Sequence, residues 1–197
     1  MKTLIRILPD FLVKFFAGPY VAGDSLEAGV TAARDLQARG LLSTLDLLYE
    51  GITEQAQVEE VREVYREMVD ACAAFPDRGT RPSLSLKPSS YTTHPLDRGK
   101  GMDARGSEEA IRAIVDQAQA RDVDVTIDME DRHWTDWTLD LARRLRSEGK
   151  ENVGIVLQTR LNRTEADLGE LPEGIRVRLV IGIYNEPPDL ASTTNGR

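Results

Sequence analysis

Lys87, Asp128, Gln158 and Arg178 lie on the polar parity of four short runs, Ser83 to Lys87, Asp124 to Glu130, Val153 to Gln158 and Arg176 to Gly182, whose other parity is apolar. Successive side chains of a strand point to opposite faces. Leu84/Leu86, Val125/Ile127/Met129, Val153/Ile155/Leu157 and Val177/Leu179/Ile181 therefore fall on one face and the four polar residues on the other. A lysine, an acid, an amide and an arginine gathered at strand ends are the makings of a polar site. If the strands run in sequence order, Asp128 lies one strand from Lys87, close enough to ion-pair as a structural pair or as part of a pocket. Arg178 offers a fixed cationic fork for an anion or for a ring that gains negative charge on reduction, or else an internal salt bridge to Asp128 or Glu130. Gln158 both donates and accepts, which suits the edge of a heteroaromatic cofactor. A strand-end lysine such as Lys87 is also suited to Schiff-base chemistry of the aldolase type when its amine is neutral.

The neighbouring residues are less specific. Glu130 and Asp131 read equally well as functional carboxylates, loop carboxylates or an N-cap for the next helix. Neither His94 nor His133 stands at ligand spacing from them, so no metal site is expected. Gly182, between Ile181 and Ile183, either admits close backbone approach to a ligand or marks the end of its strand. The sequence has no Gly-x-Gly-x-x-Gly and no phosphate loop, so neither a Rossmann dinucleotide site nor an ATPase is supported.

The elements that must position these residues alternate. Asp24 and Ser25 start a helix that Gly40 stops, and a strand is expected over Leu41 to Leu48. Glu54 to Phe75 carries Val58, Val61, Val64/Tyr65, Met68, Val69 and Cys72 on one stripe, a long amphipathic helix ending before Pro76. Pro88 to Gly106 is too irregular for an element and long enough for a functional loop. Further helices are expected from Ser107 to Arg121, from Thr135 to Ser147 and over Thr164 to Leu168. Strands alternating with helices imply a parallel sheet. A doubly wound sheet has strands apolar on both faces, whereas one parity here is polar, which suits a barrel. About five strand-helix units of a (βα)8 TIM-type barrel can be found. Residues 1–197 are therefore expected to form a single incomplete α/β barrel domain, with the C-terminal part of the barrel absent and the sequence a fragment of a longer protein.

Composition narrows the partners. In 197 residues, 25 Lys and Arg stand against 33 Asp and Glu, a net charge of −8 that disfavours nucleic acid and gives no polybasic membrane signal. A small-molecule substrate is the expected partner. The single cysteine, Cys72, cannot form an internal disulfide and fits a reducing cytoplasm. Charges and Pro9 interrupt the apolar N-terminus, so neither a secretory leader nor a spanning helix is expected there. Phe11 to Phe16 reads as a helical turn packed on the barrel or, as a lesser alternative, a peripheral membrane contact.

Five strings together, Phe16 to Leu26, Leu41 to Asp46, Ile127 to Asp131, Gly154 to Gln158 and Val177 to Pro187, resemble bacterial monofunctional proline dehydrogenase over about residues 15 to 191. The resemblance implies a distorted (βα)8 barrel that binds FAD at the carboxyl ends of its strands. It further implies oxidation of L-proline to Δ1-pyrroline-5-carboxylate in proline catabolism, with electrons passing to a quinone at the membrane surface. By position it makes Asp128 and Arg178 catalytic, gives Lys87 to the substrate, and assigns flavin contacts to Met129, Gln158, Ile181, Gly182 and Ile183. Where the family usually has Lys-Gly-Ala-Tyr, this chain has Ile181-Gly182-Ile183-Tyr184, so a cationic flavin contact is lost or replaced. The family's later Thr-His-Asp strand and the helix whose arginine pair grips the proline carboxylate are not in this sequence. The alternatives are an aldolase-type barrel using Lys87 or a non-catalytic fragment.

Overall fold

The computed structural model describes residues 22–192 except Asp24 and Glu50. Phe11 to Phe16 and the rest of the N-terminal run lie outside the described residues. The chain divides into two compact units, residues 1–42 and 43–197. In the first, helix α1 (Leu26–Ala38) is capped by Ser25, whose hydroxyl oxygen accepts from the Ala28 N–H at 3.3 Å, and Gly40 follows it with φ +72°. Both ends are where the Ser25 and Gly40 signals put them.

The second unit is an α/β sheet. Its strands are β1 (Thr44–Asp46), β2 (Ser83–Leu86), β3 (Val125–Ile127), β4 (Val153–Gln158) and β5 (Arg176–Val180), all parallel and in the order β1-β2-β3-β4-β5. Between them lie α2 (Gln55–Ala73), α3 (Ser107–Ala120), α4 (Arg132–Ser147) and α5 (Thr164–Gly169). Each parallel pair is joined by a crossover long enough to hold a helix.

The core is the apolar parity. Leu84, Leu86, Val125, Ile127, Val153, Ile155 and Leu157 are buried, as are Val58, Val61, Val69 and Cys72 of α2, Ile111, Ile114 and Val115 of α3 and Trp134, Leu139 and Leu145 of α4. Helix α2 packs on β2 and α3, and α4 on β4. Burial pushes the Cys72 thiol up to about 12, as expected of an inert core residue.

Three features differ from expectation, each for a local reason. The first strand is only Thr44–Asp46, since an edge strand is paired on one side and its register covers three residues, with Leu42 and Leu48 exposed. Helix α4 begins at Arg132 rather than near Thr135, because the Asp131 carboxylate accepts from the His133 N–H at 2.9 Å and serves as N-cap. Helix α3 starts at Ser107 as expected; Gly106 at φ +83° is its N-cap, and the Ser107 hydroxyl donates to the Pro88 carbonyl at 2.7 Å. The 88–106 stretch, expected to be irregular, contains two 3-10 turns, Pro88–Tyr91 and Leu96–Arg98, with Pro88, Ser90 and Tyr91 buried.

Replacing the fully buried Leu86 by alanine should lower unfolding stability by about 2–5 kcal/mol, the range for a large-to-small core change. Arg66→Ala, which removes only an exposed pair with Glu63, should cost less than about 1 kcal/mol. Urea denaturation of the two variants against the parent measures the difference.

Candidate active site

The polar parity forms one face of the sheet, and register aligns it. Asp46 pairs with Ser85, Ser85 with Thr126, Thr126 with Gly154, and Gly154 with Arg176. Lys87 and Asp128 each lie one residue beyond the paired Leu86 and Ile127, and Arg178 pairs with Val156 of β4. Strand geometry thus brings three of the four expected residues to one end of one face.

Their partners differ from the expected Lys87–Asp128 ion pair. Lys87 Nζ donates to Asp46 Oδ2 on β1, while Asp128 Oδ1 accepts from Arg178 Nη2 across β4 and from the Ser85 hydroxyl at 2.6 Å. Arg178 Nη2 also donates to Ser85 Oγ at 2.8 Å. The lysine stem is long enough to reach the neighbouring strand, and Asp46 supplies a carboxylate there. Asp128 is then satisfied by Arg178, whose Nη2 reaches it past Val156 of β4. Burial raises the Asp128 carboxyl above its ordinary value, with the Ser85 bond and then the Arg178 charge opposing.

A second layer supports this face. Tyr65 of α2 donates its hydroxyl to the Ser85 carbonyl at 2.7 Å and lies 3.3 Å from Asp46 Oδ1; its ring tilts against Tyr91 with centroids 5.7 Å apart. Burial pushes the Tyr65 hydroxyl well above its usual range. At the end of β3, Glu130 is buried and accepts from the Ser89 N–H at 2.8 Å and the Ser89 hydroxyl at 2.6 Å. Beside it is a cleft of about 310 Å³ lined by Lys87, Ser89, Asp97, Arg98, Glu130 and Tyr184, among others.

The residues expected to meet a cofactor are placed unevenly. Met129 turns its side chain into the core with Leu139, Ala142 and Ile155, so only its backbone faces the site end. Gln158 is buried and donates Nε2 to the Glu130 carbonyl at 2.7 Å; its Oε1 has no hydrogen-bond partner. Ile181 and Ile183 are 77% and 92% exposed, past the end of β5. Gly182 lies past the end of β5 with φ +98°, and a Cβ there would sit 2.3 Å from Gln158 Oε1, so the glycine lets the backbone lie against that side chain.

The sequence pattern described as proline dehydrogenase matches residues 30–186. The chain belongs to the proline dehydrogenase family. It is 33% identical to the proline dehydrogenase of Deinococcus radiodurans over 177 residues, covering 87% of this chain and 54% of that one. It is 32% identical to proline dehydrogenase 1 of Bacillus subtilis over 195 residues, covering 96% of this chain and 60% of that one. The chain thus spans 54% to 60% of the length of these two relatives. Among solved structures, proline utilization A from Bdellovibrio bacteriovorus inactivated by N-propargylglycine has the same fold over 82% of this chain and 20% of its own, with TM-score 0.72 and 18% identity.

Several members of the site were not assigned from the family sequence. Asp46 was legible in principle, since it shares the parity of Thr44 at the end of the first run. Ser85 likewise shares the parity of Lys87. Tyr65 appeared only as part of a helix stripe, and nothing local marks Tyr91 or Ser89. Arg160 holds the segment after β5, its Nη1 lying 3.5 Å from the Gly182 carbonyl and 3.4 Å from that of Tyr184. The buried Glu186 carboxylate accepts from the Arg132 N–H at 2.8 Å and from Arg132 Nη1 at 3.2 Å, tying that segment to the start of α4. His133 lies 3.0 Å from Asp131 and His94 3.0 Å from Thr93, and among the described residues no cluster of three metal-ligating side chains occurs.

Burial pushes the Glu130 carboxyl from 4.5 up to about 7; the two Ser89 bonds oppose this, Asp97 adds to it and Lys87 opposes. Between those pH values the folded protein holds a proton that the unfolded chain has released, so the group's contribution to stability declines as pH rises through this window. Glu130→Gln should remove that decline, up to about 3 kcal/mol. Urea midpoints at pH 5 and pH 8 should separate less in the variant than in the parent.

Proposed function

We propose that this chain provides the N-terminal and central strands of an FAD-dependent proline dehydrogenase, with its five parallel strands and the helices between them forming part of a (βα)8 barrel. The activity is oxidation of L-proline to Δ1-pyrroline-5-carboxylate. The observation that carries the reading is the joined set Lys87–Asp46 and Asp128–Arg178–Ser85 at one end of one sheet face, in a chain matched to the family over residues 30–186.

The residues present fit a flavin. Gln158 Oε1 is a buried acceptor without a partner, suited to a ring N–H; the Arg178 side chain, on the neighbouring strand and in register with Val156, is 40% exposed; and Ile181 and Ile183 offer exposed apolar surface for a flat ring. FAD, when bound, supplies the acceptor for the hydride leaving C5 of proline. Lys87 presents its remaining ammonium hydrogens to the substrate carboxylate while Asp46 fixes its direction. Asp128, anchored by Ser85 and Arg178, borders the substrate ring and balances the cation. Arg178 favours negative charge developing on the cofactor ring. Met129, Gly182 and their neighbours contribute backbone at the ring edge.

A quinone is the proposed final acceptor, reached by peripheral contact with the membrane from the cytoplasm; no described helix is long and apolar enough to cross a bilayer. The aldolase alternative fits less well, because Lys87 is engaged with a carboxylate rather than seated in an apolar pocket.

In the full-length protein, proline should bleach the flavin absorbance, and Asp128→Ala or Arg178→Ala should slow bleaching by at least about 100-fold. A protein that stays colourless with added FAD, or variants that bleach at the parent rate, would overturn the proposal. Borohydride trapping of substrate on Lys87 would favour the aldolase instead.

A further inference from the structure

Lys87 is the last residue before the 3-10 turn Pro88–Tyr91 and occupies its cap position without any side-chain cap bond. Pro88 has no N–H, so the first backbone donor of the turn is that of Ser89. Its acceptor comes from another strand: Glu130, 41 residues away, takes both the N–H and the hydroxyl of Ser89. The Glu130 backbone is itself held by Gln158 Nε2 at 2.7 Å. A chain of contacts therefore runs from β4 through the end of β3 to the turn on which Lys87 is mounted.

We infer that Glu130 is a positioning residue for Lys87, its carboxylate clamping Ser89 so that the ammonium is aimed along the sheet face toward Asp46. The consequence for substrate rests on the function proposed above; the clamp itself does not. A buried carboxylate is a costly way to cap a turn that a serine or asparagine side chain could cap without charge. What the charge adds is a strong, two-pronged acceptor and an electrostatic pull on the neighbouring lysine. Among the described residues, the polar and charged groups that line the cleft with Glu130 are Ser89 and Lys87 from β2 and its turn, Asp97 and Arg98 from the 96–98 turn, and Tyr184 from the segment after β5. Arg98 spends Nη1 on the Ile52 carbonyl at 2.9 Å, and no ion pair joins it to Glu130. The raised Glu130 carboxyl, at about 7, makes the clamp sensitive to pH, weaker below that value and stronger above it.

The sequence contains five lysines, Lys2, Lys14, Lys87, Lys100 and Lys150. In the full-length protein reductively methylated with [13C]formaldehyde, Lys87→Arg identifies the Lys87 signal in the NMR spectrum. In the parent that signal should move with an inflection near pH 7. Glu130→Gln should abolish the inflection and move the signal toward that of exposed Lys100, with Lys150 unchanged. Ser89→Ala, which keeps the backbone bond and removes the hydroxyl one, should move it part of the way. Inflections from His94 or His133 would persist in Glu130→Gln, so an inflection that survives there, or a Lys87 signal unmoved by both substitutions, would overturn the inference. If Glu130→Gln fails to fold, an unmoved signal in Ser89→Ala alone would do so.

In the full-length enzyme Glu130→Gln should raise KM for proline about tenfold with kcat little changed. A loss confined to kcat would put Glu130 at the reacting atoms and overturn the positioning role. Failure of proline turnover as such would count against the proposed function and leave the NMR result standing.

Discussion

The Asp128 carboxylate, shared between Arg178 of β5 and Ser85 of β2, is the contact on which the polar face depends. A carboxylate that is mostly withdrawn from water must be matched by a cation and by hydrogen bonds, or it destabilises the fold by several kcal/mol. Asp128 obtains both from strands on either side, so one acid ties together β2, β3 and β5. Because it is already satisfied, Lys87 is left to Asp46, and the face resolves into two pairs instead of one chain of alternating charge.

This division explains the site's chemistry better than the list of charged residues does. The pair near β1 presents an ammonium whose direction is set by Asp46 and whose mounting is set by the Glu130–Ser89 clamp. The pair toward β5 presents a guanidinium that is 40% exposed and a carboxylate that is only 17% exposed. The cation is thus available to a ligand while its anion remains in the frame. Tyr65, reaching up from α2 to the Ser85 carbonyl, connects the apolar core directly to the centre of the polar face. Packing of α2 therefore bears on site geometry even though the helix carries no residue of the proposed reaction.

The parallel sheet was legible from period-2 alternation and the intervening amphipathic stripes, and so were the parity of Lys87, Asp128 and Arg178 and the caps at Ser25 and Gly40. These are local properties: a side chain's face depends on its own strand, and a helix end on a few neighbouring residues. The same parity rule applies to Asp46 and Ser85, which stand on the site face but were not assigned to it from the sequence. Met129 shows its limit, since the apolar parity sent its side chain to the core and left only backbone for a role that its position in the family motif suggests.

Partnership was legible only in part: the Arg178–Asp128 bridge was among the readings of Arg178, while the Lys87–Asp46 pair was not. Lys87 and Asp128 are adjacent in register, and a pair between them is what spacing alone favours; the observed pairs depend on how far Arg178 reaches across β4 and on Asp46 lying within the span of a lysine stem. Glu130 read equally well as a loop carboxylate, because its partner is 41 residues distant and no local signal marks Ser89. The sequence by itself determined which residues line the polar face, since pleat and amphipathicity are written into each segment. Only the tertiary structure decided which of those residues hold one another and which are left to face a ligand, because ion pairs and buried hydrogen bonds are settled by distances between segments far apart in the chain.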